Sequence, residues 1–267
     1  TRIEGSFIDR DPPERVDGFE RQLRESLTRC AHVLTHTETV KREIVNTLGW
    51  DPARITAVPL AAAPSFKPHH CDELRPLLQR FALVDRGFTL CAATLEPRKG
   101  IARLVNAYRA LPESLRNAFP LVLVGGAGWR NQELSALVES AQQQGWLRHF
   151  GYVAEQDLAG LMAGARVFAY PSFYEGYGLP IVEAMASGVP VITTNASCMP
   201  EVAGGAAMLI APGVEVALRD ALERALTDEH WRCQASAAGL RVAHTYSWQR
   251  CLRETVAVYQ RVWNENT

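Results

Sequence analysis

The chain has 267 residues, of which 47% are hydrophobic, and its formal net charge at pH 7 is -1. This composition supports a full hydrophobic core and excludes a largely disordered chain, while the near-zero charge excludes binding to nucleic acid or an anionic membrane through a bulk basic field. No segment reaches the roughly 18 consecutive apolar residues of a membrane span, and the start is not typical of a signal peptide. The six cysteines include no C-x-x-C pair, which favours reduced, mostly buried thiols in a cytosolic protein over a zinc or redox site.

The first part of the chain predicts only two strands. Thr37 or Thr39 is a candidate cap for the second of its helices, and Gly49 is a typical C-terminal glycine. A Pro-rich connector at 62–76 leads to a further short helix. The predicted helices cover 19–29 and 38–49, and the predicted strands cover 31–37 and 54–61.

From Gly87 onward, strands and helices alternate regularly. Most of these strands are continuously apolar, which is the signature of a parallel sheet covered on both faces. The predicted strands lie at 88–94, 120–126, 147–153, 166–172, 190–194 and 206–212, and the predicted helices at 101–112, 131–145, 155–165, 180–188, 199–204, 214–228, 230–244 and 248–264. We therefore expect an α/β protein with one complete, Rossmann-like doubly wound lobe at about 87–247. The residues before it resemble the tail of another, truncated lobe, so the chain is expected to be a fragment.

Ligands of such sheets bind at the loops that follow the strands. Arg98 and Lys99 follow a strand and precede a helix, where two cations and free N–H groups suit a diphosphate; a solvated pair on a loop is the alternative. Gly125 and Gly126 end the next strand and allow close backbone approach to a ligand. They do not form a G-x-G-x-x-G motif with an acidic residue at ribose-binding spacing, which disfavours a nicotinamide dehydrogenase.

The segment "HFGYV" ends a third strand. Its Tyr152 and Val153 could present backbone groups to the edge of a nucleobase. An ordinary strand end with a packed tyrosine explains the same pattern equally well.

The fourth loop, "EGYGLPIVE", separates Glu175 from Glu183 by seven residues. Pro180 fits the first position of a helix, so the N–H groups near Gly178 and Leu179 would face an anion. Glu183 then falls in the first turn of that helix among apolar neighbours, where it is expected to be partly buried and to need hydrogen-bond donors. Sugar hydroxyls are suitable donors. The alternative is one capping glutamate and one glutamate at the edge of the core.

These segments together resemble the GT4-type retaining glycosyltransferases, which have the two-lobed GT-B fold. The likeness runs through "ATLEPRKGIARLVNAY", "LVLVGGAGW", "FGYV" and "YPSFYEGYGLPIVEAMASGVPVITT", and covers about 31–247. It implies that 1–67 is the end of the N-terminal acceptor lobe with the linker, that 68–247 is the nucleotide-sugar lobe, and that 248–267 is a helix that crosses back.

The resemblance also implies roles for single residues. Arg98 and Lys99 would bind the donor diphosphate, Glu183 would bind the ribose hydroxyls, and Glu175 would contact the donor sugar. Gly178 and Leu179 would offer backbone N–H groups to the phosphates or the sugar. Tyr152 and Val153 would flank the base, and Gly125 and Gly126 would line the donor site. His32 and His36 are interpreted as structural. The resemblance also implies transfer without a bound metal, so we expect no metal and no cofactor besides the nucleotide-sugar substrate.

The likeness to bacterial polysaccharide mannosyltransferases favours GDP-mannose as donor, with a UDP-sugar as the alternative. The implied reaction is metal-independent hexosyl transfer with retention to a glycan or lipid-linked acceptor, in lipopolysaccharide or other surface polysaccharide biosynthesis. The protein is expected to be cytoplasmic, with any peripheral attachment to the inner membrane made by the missing lobe. This chain alone should bind the donor but transfer sugar poorly. An epimerase-like enzyme of the same fold and a non-catalytic nucleotide-sugar-binding domain are the alternatives.

Overall fold

The computed structural model of the chain describes residues 13–126, 128 and 132–266. The chain divides into two compact units, one formed by Thr1–Leu60 with Ser247–Thr267, and the other by Ala61–Tyr246. The division lies a few residues before the predicted boundary at residue 67. The Pro-rich connector belongs to the second unit because Phe66 is buried there and Pro68 lies close to Gly188.

The smaller unit contains a two-stranded parallel sheet, β1 (Val33–Thr35) and β2 (Ile55–Ala57). Its described helices are α1 (Pro13–Arg29), α2 (Glu38–Leu48) and α12 (Trp248–Asn266). Thr37 caps α2, since its side chain accepts a hydrogen bond from the Val40 N–H, and Gly49 ends the helix in the left-handed conformation. This decides between the two candidate caps in favour of Thr37.

Both histidines of the smaller unit bond to the strand region around β2. His32 Nε2 lies 2.9 Å from Thr56 Oγ1 and 3.1 Å from an Arg261 guanidinium nitrogen, and His36 Nδ1 lies 3.2 Å from the Val58 carbonyl oxygen. Burial, and then the charge of Arg261, lower the pKa of His32. These contacts support the interpretation that both histidines are structural.

The larger unit is built on a six-stranded parallel sheet with the strand order β5-β4-β3-β6-β7-β8. The chain enters the sheet in the middle, at β3, adds β4 and β5 on one side, and then adds β6, β7 and β8 on the other. Because all the pairings are parallel, the carboxyl ends of the strands lie at the same edge of the sheet. The strands are β3 (Thr89–Ala92), β4 (Leu121–Val124), β5 (Leu147–His149), β6 (Val167–Tyr170), β7 (Val191–Thr194) and β8 (Met208–Ile210).

Helices cover both faces of this sheet. One face packs against α4, α6 and α10 through side chains such as Cys91, Leu123 and Ile192. The other face packs against α8, which in turn packs against α7 and α11. The four strands β3, β4, β6 and β7 are buried along their whole length, which explains their continuous apolar runs. The helices are α3 (Cys71–Arg80), α4 (Ile101–Arg109), α5 (Glu113–Ala118), α6 (Gln132–Gln143), α7 (Glu155–Gly164), α8 (Leu179–Ala186), α9 (Met199–Ala203), α10 (Glu215–Thr227) and α11 (Glu229–Ala243).

Three expectations about local structure need correction. Helix α5 was not predicted, because its six residues are too short to show a helical period. Helix α1 begins at Pro13 instead of Phe19. The prediction of mostly buried thiols is wrong, since three of the six cysteines lie at helix ends or on solvent-facing sides of helices. Cys30, Cys71 and Cys233 are exposed, Cys91 and Cys198 are buried, and Cys251 is intermediate.

None of the helices within the described ranges combines the length and the apolar composition that crossing a bilayer requires.

Gly100 joins the loop after β3 to α4 with a φ of +69°, and a Cβ atom there would overlap the carbonyl oxygen of Pro171, just after β6. We expect Gly100→Ala to lower the free energy of unfolding by about 3 kcal/mol or more, because it adds a backbone clash to left-handed strain. Gly145→Ala is the matched control: its φ is +84° and nothing lies near the added methyl group, so it should cost only about 1–2 kcal/mol. Urea unfolding measures both, and equal losses would contradict the close packing of these loops.

Candidate active site

The two central loops at the carboxyl edge of the sheet meet because of the strand order. β3 and β6 are neighbours, yet the chain leaves them in opposite directions, which creates the crevice where doubly wound sheets bind ligands. The Phe173 N–H donates to the Arg98 carbonyl at 2.9 Å, so the loop after β6 is hydrogen-bonded to the loop after β3. The second loop contains Glu175, and the first ends in a short 3-10 helix, Pro97–Lys99.

Glu175 lies at the centre of a buried ion-pair cluster between these loops. Lys99 Nζ donates to Glu175 Oε1 at 2.6 Å, and an Arg98 guanidinium nitrogen donates to Oε2 at 3.0 Å. The Tyr170 hydroxyl, at the end of β6, donates to Oε1 at 2.9 Å and accepts from Lys99 Nζ at 2.8 Å. Glu175 is 8% exposed and Lys99 is 9% exposed, so water cannot replace these partners.

The charges of this cluster set the protonation states. Burial opposes ionisation of Glu175, but the charges of Lys99 and Arg98 outweigh it and lower its pKa. Burial and the charge of Glu175 raise the pKa of Tyr170, which keeps its hydroxyl protonated. Arg98 Nε forms a second ion pair with Glu96 at 3.0 Å, so Arg98 is held between two carboxylates, while Lys99 pairs with Glu175 alone.

A third loop, between β7 and α9, fixes the backbone of the Glu175 segment. The Ser197 hydroxyl donates to the Glu175 carbonyl at 2.6 Å, and the Cys198 thiol donates to the carbonyls of Glu175 and Tyr177 at 3.0 and 3.1 Å. Burial raises the pKa of the Cys198 thiol to about 12, so it stays a donor. Tyr170, Ser197 and Cys198 were missed by the sequence analysis, since nothing in their spacing indicates contact with Glu175.

Helix α8 begins next to this cluster. Gly178 is its N-cap with a φ of +88°, and the helix starts at Leu179, so Pro180 occupies the second helical position instead of the predicted first. Glu183 is accordingly the fifth residue of α8, and its predicted place in the first turn is wrong. Its carboxylate therefore cannot act as a first-turn acid that the helix dipole stabilises.

Glu183 is half-buried on α8 between buried neighbours. Its carboxylate forms no hydrogen bond or ion pair with any other group in the described part of the chain. Burial, and then the charge of Glu155, raise its pKa to about 7. A carboxylate that loses water without gaining donors is a group prepared for a ligand that supplies them.

The glycines after β4 pack directly on the loop after β3. Gly125, with a φ of +144°, leaves no room for a Cβ atom beside the Ala93 carbonyl, and the Gly126 carbonyl accepts the Leu95 N–H at 3.1 Å. His149, at the end of β5, contacts the Gly125 carbonyl at 2.9 Å. Part of the "GGAGW" motif, residues 127 and 129–131, lies outside the described residues.

Tyr152 and Val153 follow β5 at the same edge of the sheet. The Tyr152 side chain is 87% exposed, so the alternative of a packed tyrosine is wrong. Val153 is half-buried. The exposed ring leaves this strand end open to a ligand, while the assignment of both residues to a nucleobase stays a prediction.

Residues 79–241, more than half of the chain, match the family "Glycosyl transferases group 1". The chain belongs to the group 1 glycosyl transferases. The expected family and the α/β fold class are thereby confirmed, whereas the roles of the individual site residues stay predictions.

One curated glycosyltransferase is more similar to this chain in sequence than a shared fold requires. The "O-antigen chain mannosyltransferase B" of Escherichia coli is 40% identical over 249 residues, which are 93% of this chain and 65% of that protein. The chain therefore spans about two thirds of the length of this relative.

Solved structures of other glycosyltransferases share the fold. Sucrose-phosphate synthase from Thermosynechococcus elongatus superimposes with a TM-score of 0.81 at 21% identity, covering 98% of this chain and 64% of that one. Anabaena Alr3699/HepE, solved in complex with UDP-glucose, has a TM-score of 0.73 at 20% identity, covering 88% and 63%. At these identities the likeness concerns the GT-B fold alone.

The raised pKa of Glu183 predicts a pH-dependent loss of stability. Its folded-state pKa of about 7 exceeds the ordinary value of 4.5, so the folded state holds an extra proton between these values and wild-type stability falls as pH rises from about 4.5 to 7. Glu183→Gln lacks this loss, and its free energy of unfolding should exceed that of the wild type by about 2 kcal/mol at pH 8, with the advantage disappearing below about pH 4.5.

Urea unfolding at pH 4.5, 6 and 8 measures this difference. Glu139→Gln, at an exposed position on α6, is the control and should follow the wild type at every pH. A constant difference between wild type and Glu183→Gln across this range would show that Glu183 titrates normally.

Proposed function

We propose that this chain carries the nucleotide-sugar-binding lobe of a retaining mannosyltransferase that uses GDP-mannose and no metal ion. The observation that carries the proposal is the pair of acidic sites on either side of the start of α8: Glu175, held by two cations, and Glu183, whose carboxylate has no partner among the described residues. Family membership and the mannosyltransferase relative support the class of reaction and the choice of sugar.

The diphosphate is assigned to the cations of the central loops. Arg98 and Lys99 lie at the end of the 3-10 helix after β3, and the N–H groups at Gly178 and Leu179 begin α8 beside them. Fixed positive charge near the leaving diphosphate stabilises the charge that develops as the bond to the sugar breaks. These groups supply that charge from protein side chains and backbone, so the proposed reaction needs no metal.

The ribose is assigned to Glu183. Two adjacent sugar hydroxyls would donate to its two carboxylate oxygens, which replaces the water lost on burial. Such bonds stabilise the ionised form, so binding would lower the pKa of Glu183 from about 7 and release a proton near neutral pH. Its missing protein partners are thus explained by a substrate partner.

The donor sugar is assigned to Glu175. Its carboxylate is ionised and immobile because Lys99, Arg98 and Tyr170 surround it. A fixed carboxylate can accept hydrogen bonds from sugar hydroxyls and orient the anomeric carbon toward an acceptor. Lys99 would then share its charge between Glu175 and the diphosphate, which couples sugar position to phosphate binding.

The base and the acceptor define the rest of the proposal. Tyr152 and Val153 flank guanine in this assignment, and Gly125 and Gly126 allow the nucleotide to approach the loop after β4. The acceptor is a glycan or a lipid-linked glycan, as the name of the O-antigen relative suggests. Because the chain spans 65% of that relative, we expect it to bind the donor by itself and to transfer sugar poorly.

Calorimetric titration of the chain with GDP, UDP, dTDP and ADP tests the donor assignment. We expect GDP to bind selectively, and Glu183→Ala to weaken binding at least tenfold because two charge-assisted hydrogen bonds are lost. Glu139→Ala, at an exposed position on α6, is the matched control and should bind normally.

Selective binding of UDP would keep the transferase proposal and overturn the choice of GDP-mannose. If no nucleotide binds either this chain or the full-length protein, the proposed function is wrong. Nucleotide binding without sugar transfer by the full-length protein would favour a non-catalytic or epimerase-like relative.

Lys99→Ala tests the phosphate assignment in the full-length protein. We expect kcat to fall at least 100-fold, because a fixed cation beside the developing charge of the leaving group is lost. Lys99→Arg should recover part of this loss, and Lys41→Ala on α2 should turn over normally. Circular dichroism and melting temperatures of each variant separate lost catalysis from lost folding. Near-normal turnover by folded Lys99→Ala would remove Lys99 from this role.

A further inference from the structure

A second concave site lies at the opposite, amino-terminal edge of the six-stranded sheet. Arg86 precedes β3, Arg166 precedes β6, and Pro190 precedes β7, while one side of α11 completes the lining. The cavity has a volume of about 540 Å³. Since the proposed donor loops all follow the carboxyl ends of the same strands, the sheet itself separates the two sites.

Three arginines line this cavity, and backbone carbonyls hold each of them. Arg86 donates to the Ala165 carbonyl at 2.9 Å, Arg166 Nε donates to the Leu226 carbonyl at 3.0 Å, and Arg232 donates to the same Leu226 carbonyl at 3.0 Å. Each guanidinium has five N–H donors, so these bonds orient the groups and leave further donors for a ligand.

The positive charge of this cluster exceeds the negative charge beside it. Within the described residues, none of the three arginines forms an ion pair with a carboxylate, and Glu229 is the single acidic residue that lines the cavity. Burial, and then the charge of Arg232, lower the pKa of Arg166, while the charge of Glu229 opposes this shift. Three cations held together at this energetic cost attract an anion strongly.

We propose that this cavity is a second ligand site, which binds a phosphate-bearing anion by its phosphate group. Guanidinium groups recognise phosphate oxygens through paired N–H donors, and three fixed arginines match a dianionic phosphate better than a carboxylate. The volume exceeds that of phosphate alone and accommodates a sugar attached to it. The phosphate could belong to a soluble sugar phosphate or to the headgroup of a lipid, and the experiment below separates these sources.

Binding is measured by titrating the chain with inorganic phosphate and with glucose 1-phosphate at constant ionic strength. We expect the double variant Arg86→Gln/Arg232→Gln to bind both probes at least tenfold more weakly than the wild type. The matched control, Arg241→Gln/Arg253→Gln, removes two exposed arginines of α11 and α12 and should bind normally. An unchanged melting temperature in chloride buffer shows that each variant is folded.

The exposed thiol of Cys233 locates the bound probe, since it lines the same cavity. Phosphate should slow alkylation of Cys233 at least threefold, while Cys71, an exposed thiol on α3, reacts at its usual rate. Mass spectrometry reads both sites in one sample.

Vesicles containing phosphatidylglycerol provide the lipid arm. If the wild-type chain sediments with these vesicles and the double variant does not, the ligand is a lipid headgroup. If the chain does not sediment but binds glucose 1-phosphate more tightly than phosphate, the ligand is a soluble sugar phosphate. The proposal is wrong if no probe binds the wild type, if the double variant binds as well as the wild type, or if Cys233 is not protected.

Discussion

The ion pairs of Glu175 with Lys99 and Arg98 are the interaction on which the carboxyl edge of the large unit depends. They join two loops that are about 76 residues apart in the chain and that meet only because β3 and β6 are neighbours. Burying any one of these charges without its partners would cost desolvation free energy that nothing offsets. Breaking a buried ion pair therefore typically costs about 3–5 kcal/mol. The same contacts therefore close the fold locally and hold two cations at the place where a diphosphate would lie.

Much of the fold follows from the sequence. The alternation of apolar strands with helices predicted every strand of the six-stranded sheet, because strands buried on both faces must be continuously apolar. Thr37 and Gly49 marked the ends of α2 through capping chemistry that depends on neighbouring residues alone. Where the pattern was shorter than a helical period, as in α5, local sequence carried too little information. The place of Glu183 in α8 was missed by one residue because a proline fits more than one position at a helix start.

The candidate site was predictable as a set of residue types and not as a set of contacts. Four loops could be chosen by their place after strands, and the acids and cations by their chemistry. The mutual pairing of Glu175 and Lys99 was not expected, because each had been assigned to a ligand separately. Ser197 and Cys198 fix the Glu175 backbone through a third loop, and their contribution depends on the order of the strands, which spacing does not reveal.

The strand order also divides the proposed donor site into two halves of separate origin. β4 and β5, on one side of β3, present Gly125, Gly126, Tyr152 and Val153, which are assigned to the nucleotide and its base. β6 and β7, on the other side, hold Glu175 with Tyr170, Ser197 and Cys198, whereas Lys99 and Arg98 reach Glu175 from the loop after β3. Each half is made from a continuous segment of chain. Recombination between related enzymes at α7, which connects β5 to β6, would exchange the residues assigned to the base, but it would also separate Glu175 from Lys99 and Arg98. Base preference could therefore be exchanged in this way only between enzymes that keep both cations.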